Sequence, residues 1–251
     1  MPGTLFLVPA PLDFGCDRQV PLTDVLPDRT LRVAAGLPNW IAENARSTRA
    51  YLKRVGEVHA LAQPIQQLRI TELPRQVHKK GDHAGGFDAR PLLAPALEGQ
   101  DIGLVSEAGM PAIADPGSSV VRAAHDLRIP VVPLVGPVSL LLALAAGGLN
   151  GQNFAFVGYL PQQPAERAQR LRELESLAAR IGQAQLFIET PYRNPAVWES
   201  LLATLKPDTR LAVAMGLTLP AARIDSRTVA GWKQEPWVPP ADLPAVFGLG
   251  R

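Results

Sequence analysis

The chain has 251 residues, 47% of them hydrophobic and 19% charged, which is apolar material for one large core or two smaller ones. The length favours about two domains of 100–150 residues. A formal net charge of +2 is too small to argue for nucleic acid. The single cysteine, Cys16, excludes an internal disulfide framework and fits a reducing cytoplasm, and no run reaches the roughly 18 apolar residues of a membrane span.

Residues 4–8 read as a strand, entered directly from Met1-Pro2-Gly3 with no basic leader, so no cleavable signal is expected. Residues 31–37 read as a helix and Trp40-Ile41-Ala42-Glu43 as a strand. Residues 47–55 form a second helix, opened by Ser47 as N-cap, with Tyr51, Leu52 and Val55 on one face. In "HKKGDHAGG", His78 and His83 are weighed as metal ligands, but the glycine-rich basic setting favours a surface loop. Residues 102–105 are the next strand. Residues 118–127 are a helix with a stripe of Val120, Val121, Ala124 and Leu127, and residues 129–135 an unalternating strand expected to be buried on both faces. This rhythm implies a parallel sheet with right-handed crossovers.

Gly136-Pro137-Val138-Ser139 interrupts the pattern, and the expected domains are 1–136 and 137–251. A short apolar helix closes at Gly147-Gly148. A strand at 153–158 and a helix at 165–181 follow, the helix turning Leu171, Leu174, Ala178 and Ile181 inward. Strands at 185–189 and 210–214 flank a helix at 196–205. Residues 228–232 and 245–249 read as closing strands, joined by a proline-rich stretch at 236–244. The 25 prolines punctuate strand ends along the chain, as in Val8-Pro9 and Thr190-Pro191, which is a folded α/β pattern.

In an open parallel sheet, ligands bind beyond the carboxyl ends of the strands. Four strand ends here carry more glycine, proline and carboxylate than a turn requires: residues 9–15, 106–117, 136–139 and 189–193. No phosphate loop, dinucleotide fingerprint or nucleophile elbow is present. In "SEAGMPAIADPG" (106–117), Glu107 and Asp115 read either as an acid–base pair or as caps of their own turn, Asp-Pro-Gly being a common helix start.

Taken together, these loops resemble the tetrapyrrole methylase superfamily of S-adenosylmethionine-dependent methyltransferases, in particular its small-subunit ribosomal RNA (cytidine-2′-O) branch. The branch pattern Ser-Asp-Ala-Gly-Thr-Pro-x-x-x-Asp-Pro-Gly is similar to Ser106-Glu107-Ala108-Gly109-Met110-Pro111 with Asp115-Pro116-Gly117. Ala-Glu-Asp-Thr-Arg resembles Ala42-Glu43-Asn44-Ala45-Arg46, and Pro-Gly-Pro-Ser resembles Val135-Gly136-Pro137-Val138, with Ser139 next. Gly-Phe-Leu-Pro resembles Gly158-Tyr159-Leu160-Pro161, Glu-Ser-Pro-His-Arg resembles Glu189-Thr190-Pro191-Tyr192-Arg193, and Arg-Glu-Leu-Thr resembles Met215-Gly216-Leu217-Thr218. The matches run in order over nearly the whole chain.

The resemblance implies two α/β domains, the first a largely parallel sheet and the second a mixed one, with S-adenosyl-L-methionine held between them in a cytoplasmic homodimer. It implies cofactor contacts at Pro11, Leu12, Gly109, Met110, Ile113, Ala114, Val138, Ser139, Leu160 and Thr218. It places Glu43, Arg46, Glu107, Tyr192 and Arg193 on the acceptor side, with ribosomal RNA or the small ribosomal subunit as partner, neither DNA nor membrane, and no metal. It names no catalytic base, since transfer from a sulfonium is largely a matter of positioning. The branch's first loop, Thr-Pro-Ile-Gly-Asn, reads here Ala10-Pro11-Leu12-Asp13-Phe14, and the Asp-Thr of its second is Asn44-Ala45. Two alternatives follow: a tetrapyrrole or other small acceptor, suited to the weak basic character, and a cofactor-binding paralogue without catalysis.

Overall fold

In a computed structural model, which describes every residue except 14, 17, 81, 83–85 and 236 and the backbone alone at 78–80, the chain divides into two compact units, Met1–Val138 and Ser139–Arg251. The first unit runs β1 (Leu5–Leu7), α1 (Leu22–Val25), α2 (Asp28–Gly36), β2 (Asn39–Ala42), α3 (Ala45–Val58), β3 (Arg69–Glu72), α4 (Arg75–Lys80), α5 (Ala94–Leu97), β4 (Ile102–Val105), α6 (Ser118–Asp126) and β5 (Val131–Pro133). Its sheet has the order β3-β2-β4-β1-β5 and every pairing is parallel.

The central strands are buried on both faces, so neighbouring residues serve opposite layers. Trp40 packs with Val8, Leu31 and Leu52 under α2 and α3. Ile41 packs with Leu5, Leu93, Leu104 and Val120 under α6. Gly103 has no room for a Cβ, which would lie 2.6 Å from the Trp40 ring.

Two expectations are corrected in this unit, and one strand is added. Residues 129–135 do not make a strand buried on both faces. Only Val131–Pro133 is strand, at the sheet edge, with both valines half-buried and Pro133 exposed. Ile129 and Leu134, flanking it, carry the burial, one in each apolar layer, and a proline without an N–H suits an edge. The cap of α3 is Asn44, whose side chain accepts from the amides of Arg46 and Ser47, whereas Ser47 donates its hydroxyl to the Asn44 carbonyl at 3.0 Å. Asparagine at this position reaches two orphan amides at once. The opposite edge strand β3, Arg-Ile-Thr-Glu, was not anticipated, because it is too polar and short to stand out.

The second unit runs α7 (Ser139–Gly147), β6 (Phe154–Tyr159), α8 (Pro164–Ile181), β7 (Ala184–Glu189), α9 (Asn194–Thr204), β8 (Arg210–Met215), β9 (Arg223–Thr228), α10 (Val229–Lys233) and β10 (Ala245–Gly250). Its sheet, ordered β6-β7-β10-β8-β9, is mixed: β6 and β7 are parallel and the other pairs antiparallel. One layer holds Leu171, Leu174, Trp198 and Leu201 of the helices against Phe187, Val213 and Phe247 of the strands. α7 lies against β8, β9 and β10, and Gly147 comes so close to Ala212 that a Cβ would stand 2.9 Å away.

Residues 228–232 are not a closing strand. Thr228 ends β9 and caps α10, its hydroxyl oxygen accepting from the Gly231 amide at 3.1 Å. Val229 and Trp232, three apart, are buried on one helical face, a spacing that short apolar runs share with strands. Ile181 does not turn inward but is 47% exposed, because α8 ends on it and Gly182 turns away at φ +67°.

Candidate functional site

Because the first sheet is parallel, the carboxyl ends of all its strands lie along one edge. The loop after β4 carries unusual backbone there. Gly109 sits at φ +71°, and two alanines follow in the same left-handed region, Ala112 at +66° and Ala114 at +64°. Each costs a residue with a Cβ about 1–2 kcal/mol. Ala10 and Gly109 exchange backbone hydrogen bonds of 2.9 and 3.0 Å, tying the β1 and β4 loops together. A Cβ on Gly109 would stand 3.3 Å from the Leu12 side chain and 3.6 Å from the Pro137 carbonyl. Three loops therefore converge on one glycine. Gly136 and Pro9 seal the same corner, where a Cβ would approach the proline ring to 2.3 Å.

The structure brings together several of the residues assigned from the sequence. Pro11 is buried, Leu12, Met110 and Val138 are half-buried, and Ile113 and Ala114 are exposed. The backbone amides of Met110, Ala112 and Ala114 make no hydrogen bond among the described residues. Of the residues that the resemblance assigns to the acceptor, Glu43 accepts from the Glu107 amide at 3.2 Å, and Arg46 is exposed on the first turn of α3. Asp115 is held high, with a pKa of about 7, by burial first and then by the charges of Glu43 and Glu107. The Ser106 hydroxyl works partly against them.

Two further carboxylates hold the scaffold. Asp13 is 2% exposed. It makes a two-pronged ion pair with Arg54 at 3.0 and 2.9 Å and accepts from the Val20 amide at 3.2 Å. Asp82, out of "HKKGDHAGG", accepts from the amides of Gly117 and Ser119, both at 2.8 Å, and from the hydroxyls of Ser118 and Ser119, both at 2.6 Å. Though burial opposes it, this set of donors holds the Asp82 carboxyl down at about 2. Asp82 thus fills the N-terminus of α6, where an anion otherwise binds. His83 lies outside the described residues, and of His78 only the backbone, in α4, is described.

The remaining assigned residues belong to the second unit. Ser139 begins α7. Leu160 is 3% exposed within the core. Thr218 follows β8 at φ +71°, and its buried Oγ1 has no hydrogen-bond partner among the described residues. Tyr192 is 72% exposed. Arg193 pairs with Glu189 at 3.1 Å and donates to the Leu160 carbonyl at 3.1 Å, so its guanidinium anchors the chain around Leu160.

Comparison with known proteins gives this geometry a context. The family model described as Tetrapyrrole (Corrin/Porphyrin) Methylases matches residues 39–230. Over 216 residues, 86% of the chain, it is 33% identical to a protein of Micromonospora olivasterospora and 30% identical to one of Escherichia coli O157:H7, each named ribosomal RNA small subunit methyltransferase I. Those matches span 60% and 66% of the length of these two relatives. Among solved structures, the methyltransferase CobJ is similar at TM-score 0.59 and 19% identity, over 99% of this chain and 94% of that one. Uroporphyrin-III-C-methyltransferase from Thermus thermophilus is similar at 0.52 and 18%, over 100% and 93%. The chain belongs to the family of tetrapyrrole (corrin/porphyrin) methylases.

Proposed function

We propose that this chain is an S-adenosylmethionine-dependent methyltransferase whose acceptor is a ribose 2′-hydroxyl of small-subunit ribosomal RNA. What carries the reading is the 106–117 loop: a glycine-centred, strained turn, with amides that make no hydrogen bond among the described residues, at the carboxyl edge of a parallel sheet in a chain of this family. The names of the two relatives support the RNA acceptor.

The residues suit such a ligand. The amides of Met110, Ala112 and Ala114 are donors for adenine nitrogens or a carboxylate, and Leu12 and Met110 offer apolar walls to a purine. In the second unit, Thr218 has a buried hydroxyl with no hydrogen-bond partner among the described residues and is assigned by the resemblance together with Ser139 and Leu160. When bound, S-adenosylmethionine supplies a methyl group already activated on a sulfonium. What the chain supplies is alignment of donor and acceptor. Arg46 and Arg49, both exposed at the start of α3, are placed to meet a phosphate backbone.

Calorimetric titration of the full chain with S-adenosylmethionine is expected to show saturable micromolar binding, and methyl-labelled cofactor is expected to mark the RNA of isolated small ribosomal subunits. Absence of saturation at high micromolar cofactor removes the enzyme. Label passing to a porphyrinoid but not to the subunits replaces the acceptor.

A further inference from the structure

The stretch Val238–Pro244 leads into β10 with no helix or strand of its own. Three of its seven residues are prolines, which have no amide to donate, and no backbone–backbone hydrogen bond reaches it among the described residues. What holds it there is one side chain. Asn194, the first residue of α9, is 0% exposed. Its Nδ2 donates to the Pro240 carbonyl at 3.1 Å and to the Leu243 carbonyl at 2.8 Å. One turn on along the same face, the Trp198 indole donates to the Trp237 carbonyl at 2.9 Å, just ahead of the stretch. The Asn194 Oδ1 has no hydrogen-bond partner among the described residues. A buried acceptor without a donor is unfavourable and a leucine would avoid it, so what asparagine supplies is its two donated bonds.

Those bonds fix where Leu243 lies. A Cβ on Gly216 would stand 3.4 Å from the Leu243 Cδ1, so the leucine rests on the bare backbone of the turn that follows β8. In that turn the Leu219 amide donates to the Gly216 carbonyl at 2.9 Å, and the Ala222 amide to the Leu219 carbonyl at 3.0 Å. Thr218 sits there at φ +71°, a conformation that a residue with a Cβ keeps only where its surroundings hold it. We propose that Asn194 is a positioning residue for the cofactor: through Leu243 it holds the Gly216–Leu219 turn, and with it the Thr218 hydroxyl. This rests on the methyltransferase reading above, in which Thr218 meets S-adenosylmethionine. A threonine side chain is stiff at its first torsion, so the aim of Oγ1 follows the backbone. Releasing Leu243 lowers the fraction of chains with the turn in its held form. A fall to about one tenth weakens apparent cofactor affinity about tenfold and leaves the rate at saturation little changed.

The test uses the full chain with Asn194→Leu, which removes both donors at similar volume, and Leu243→Ala, which leaves the donors in place. In the cofactor-free protein, hydrogen exchange at the Leu219 and Ala222 amides is expected to quicken at least about tenfold in either variant, while Val213 in the middle of β8 exchanges as in wild type. Calorimetric affinity for S-adenosylmethionine is expected to fall about tenfold. On small ribosomal subunits, KM for the cofactor is expected to rise by about the same factor with kcat within about threefold of wild type. The double variant is expected to lose no more than either single one, because both act on one turn. Where Asn194→Leu does not fold, Leu243→Ala carries the same readings. Wild-type exchange and affinity in the variants overturn the assignment. So does exchange quickened equally at Val213, which makes Asn194 a residue of global stability only. Failure of the wild-type chain to bind cofactor is a distinct result: it removes the methyltransferase reading and the cofactor role of Asn194 with it.

Discussion

Asp13 and Arg54 set the terms on which the first loop can be altered. The aspartate stands in the loop after β1, where the related pattern has glycine and asparagine, so from the sequence it looks like a changed ligand contact. In the structure both oxygens are held by the Arg54 guanidinium, which also donates to the Val20 carbonyl at 2.6 Å. The departure from the pattern is thus tied to a partner 41 residues away, and that distance along the chain is why no local pattern reveals it. Removing one member leaves a charge in a site 2% exposed, an arrangement that costs more than the pair itself contributes. Arg54→Ala is expected to lower stability by about 3 kcal/mol in denaturant unfolding, and Arg54→Lys by less, since an ammonium cannot reproduce the two-pronged contact. Equal stability of Arg54→Ala and wild type contradicts the account.

Helix starts show where local reading succeeds. The central strands β1, β2 and β4 and the long helix α8 were legible because their apolar spacing is regular and their ends are marked by glycine or proline. β3 and β5, at the two edges, bury little and so carry little pattern, while the Val229–Trp232 spacing in α10 reads equally as strand or helix. α6 is the instructive element. Its own N-cap is Gly117, which has no side chain, and the capping carboxylate comes from Asp82, 35 residues earlier. The Arg122 guanidinium also donates to the Asp82 carbonyl at 2.9 Å, clasping that segment to the helix. Folding lowers the Asp82 pKa to about 2 from 3.8. The stabilisation is therefore complete above about pH 4 and is lost as pH falls through about 2. Asp82→Ala is expected to cost about 2 kcal/mol at neutral pH, and hydrogen exchange at the amides of Gly117 and Ser119 is expected to quicken. Unchanged exchange there counts against Asp82 as the cap.

For the molecule as a whole, the parallel order of the first sheet follows from alternating strands and helices, and with it the edge at which the Ala10–Gly109 corner must lie. Which loops meet there depends on the order β3-β2-β4-β1-β5, which no spacing encodes; the glycines and prolines marked the loops without saying that Leu12, Gly109 and Pro137 come together. The same corner weighs on the stability of the first unit. Two alanines are in a left-handed backbone, and a half-buried Asp115 faces two carboxylates. Asp115 is raised from 3.8 to about 7 on folding, so between those values the folded chain holds a proton that the unfolded chain has released. Stability then falls as pH rises from about 4 to about 7 and levels off above, by up to about 4 kcal/mol. Asparagine at this position has no charge to bury. Asp115→Asn is accordingly expected to be more stable than wild type at pH 8, and its advantage is expected to shrink steadily towards pH 4. Denaturant unfolding of both proteins across that range measures it. A gap that does not change with pH means that the Asp115 carboxyl titrates alike in the folded and unfolded chain, and then the electrostatic penalty argued for this corner does not survive.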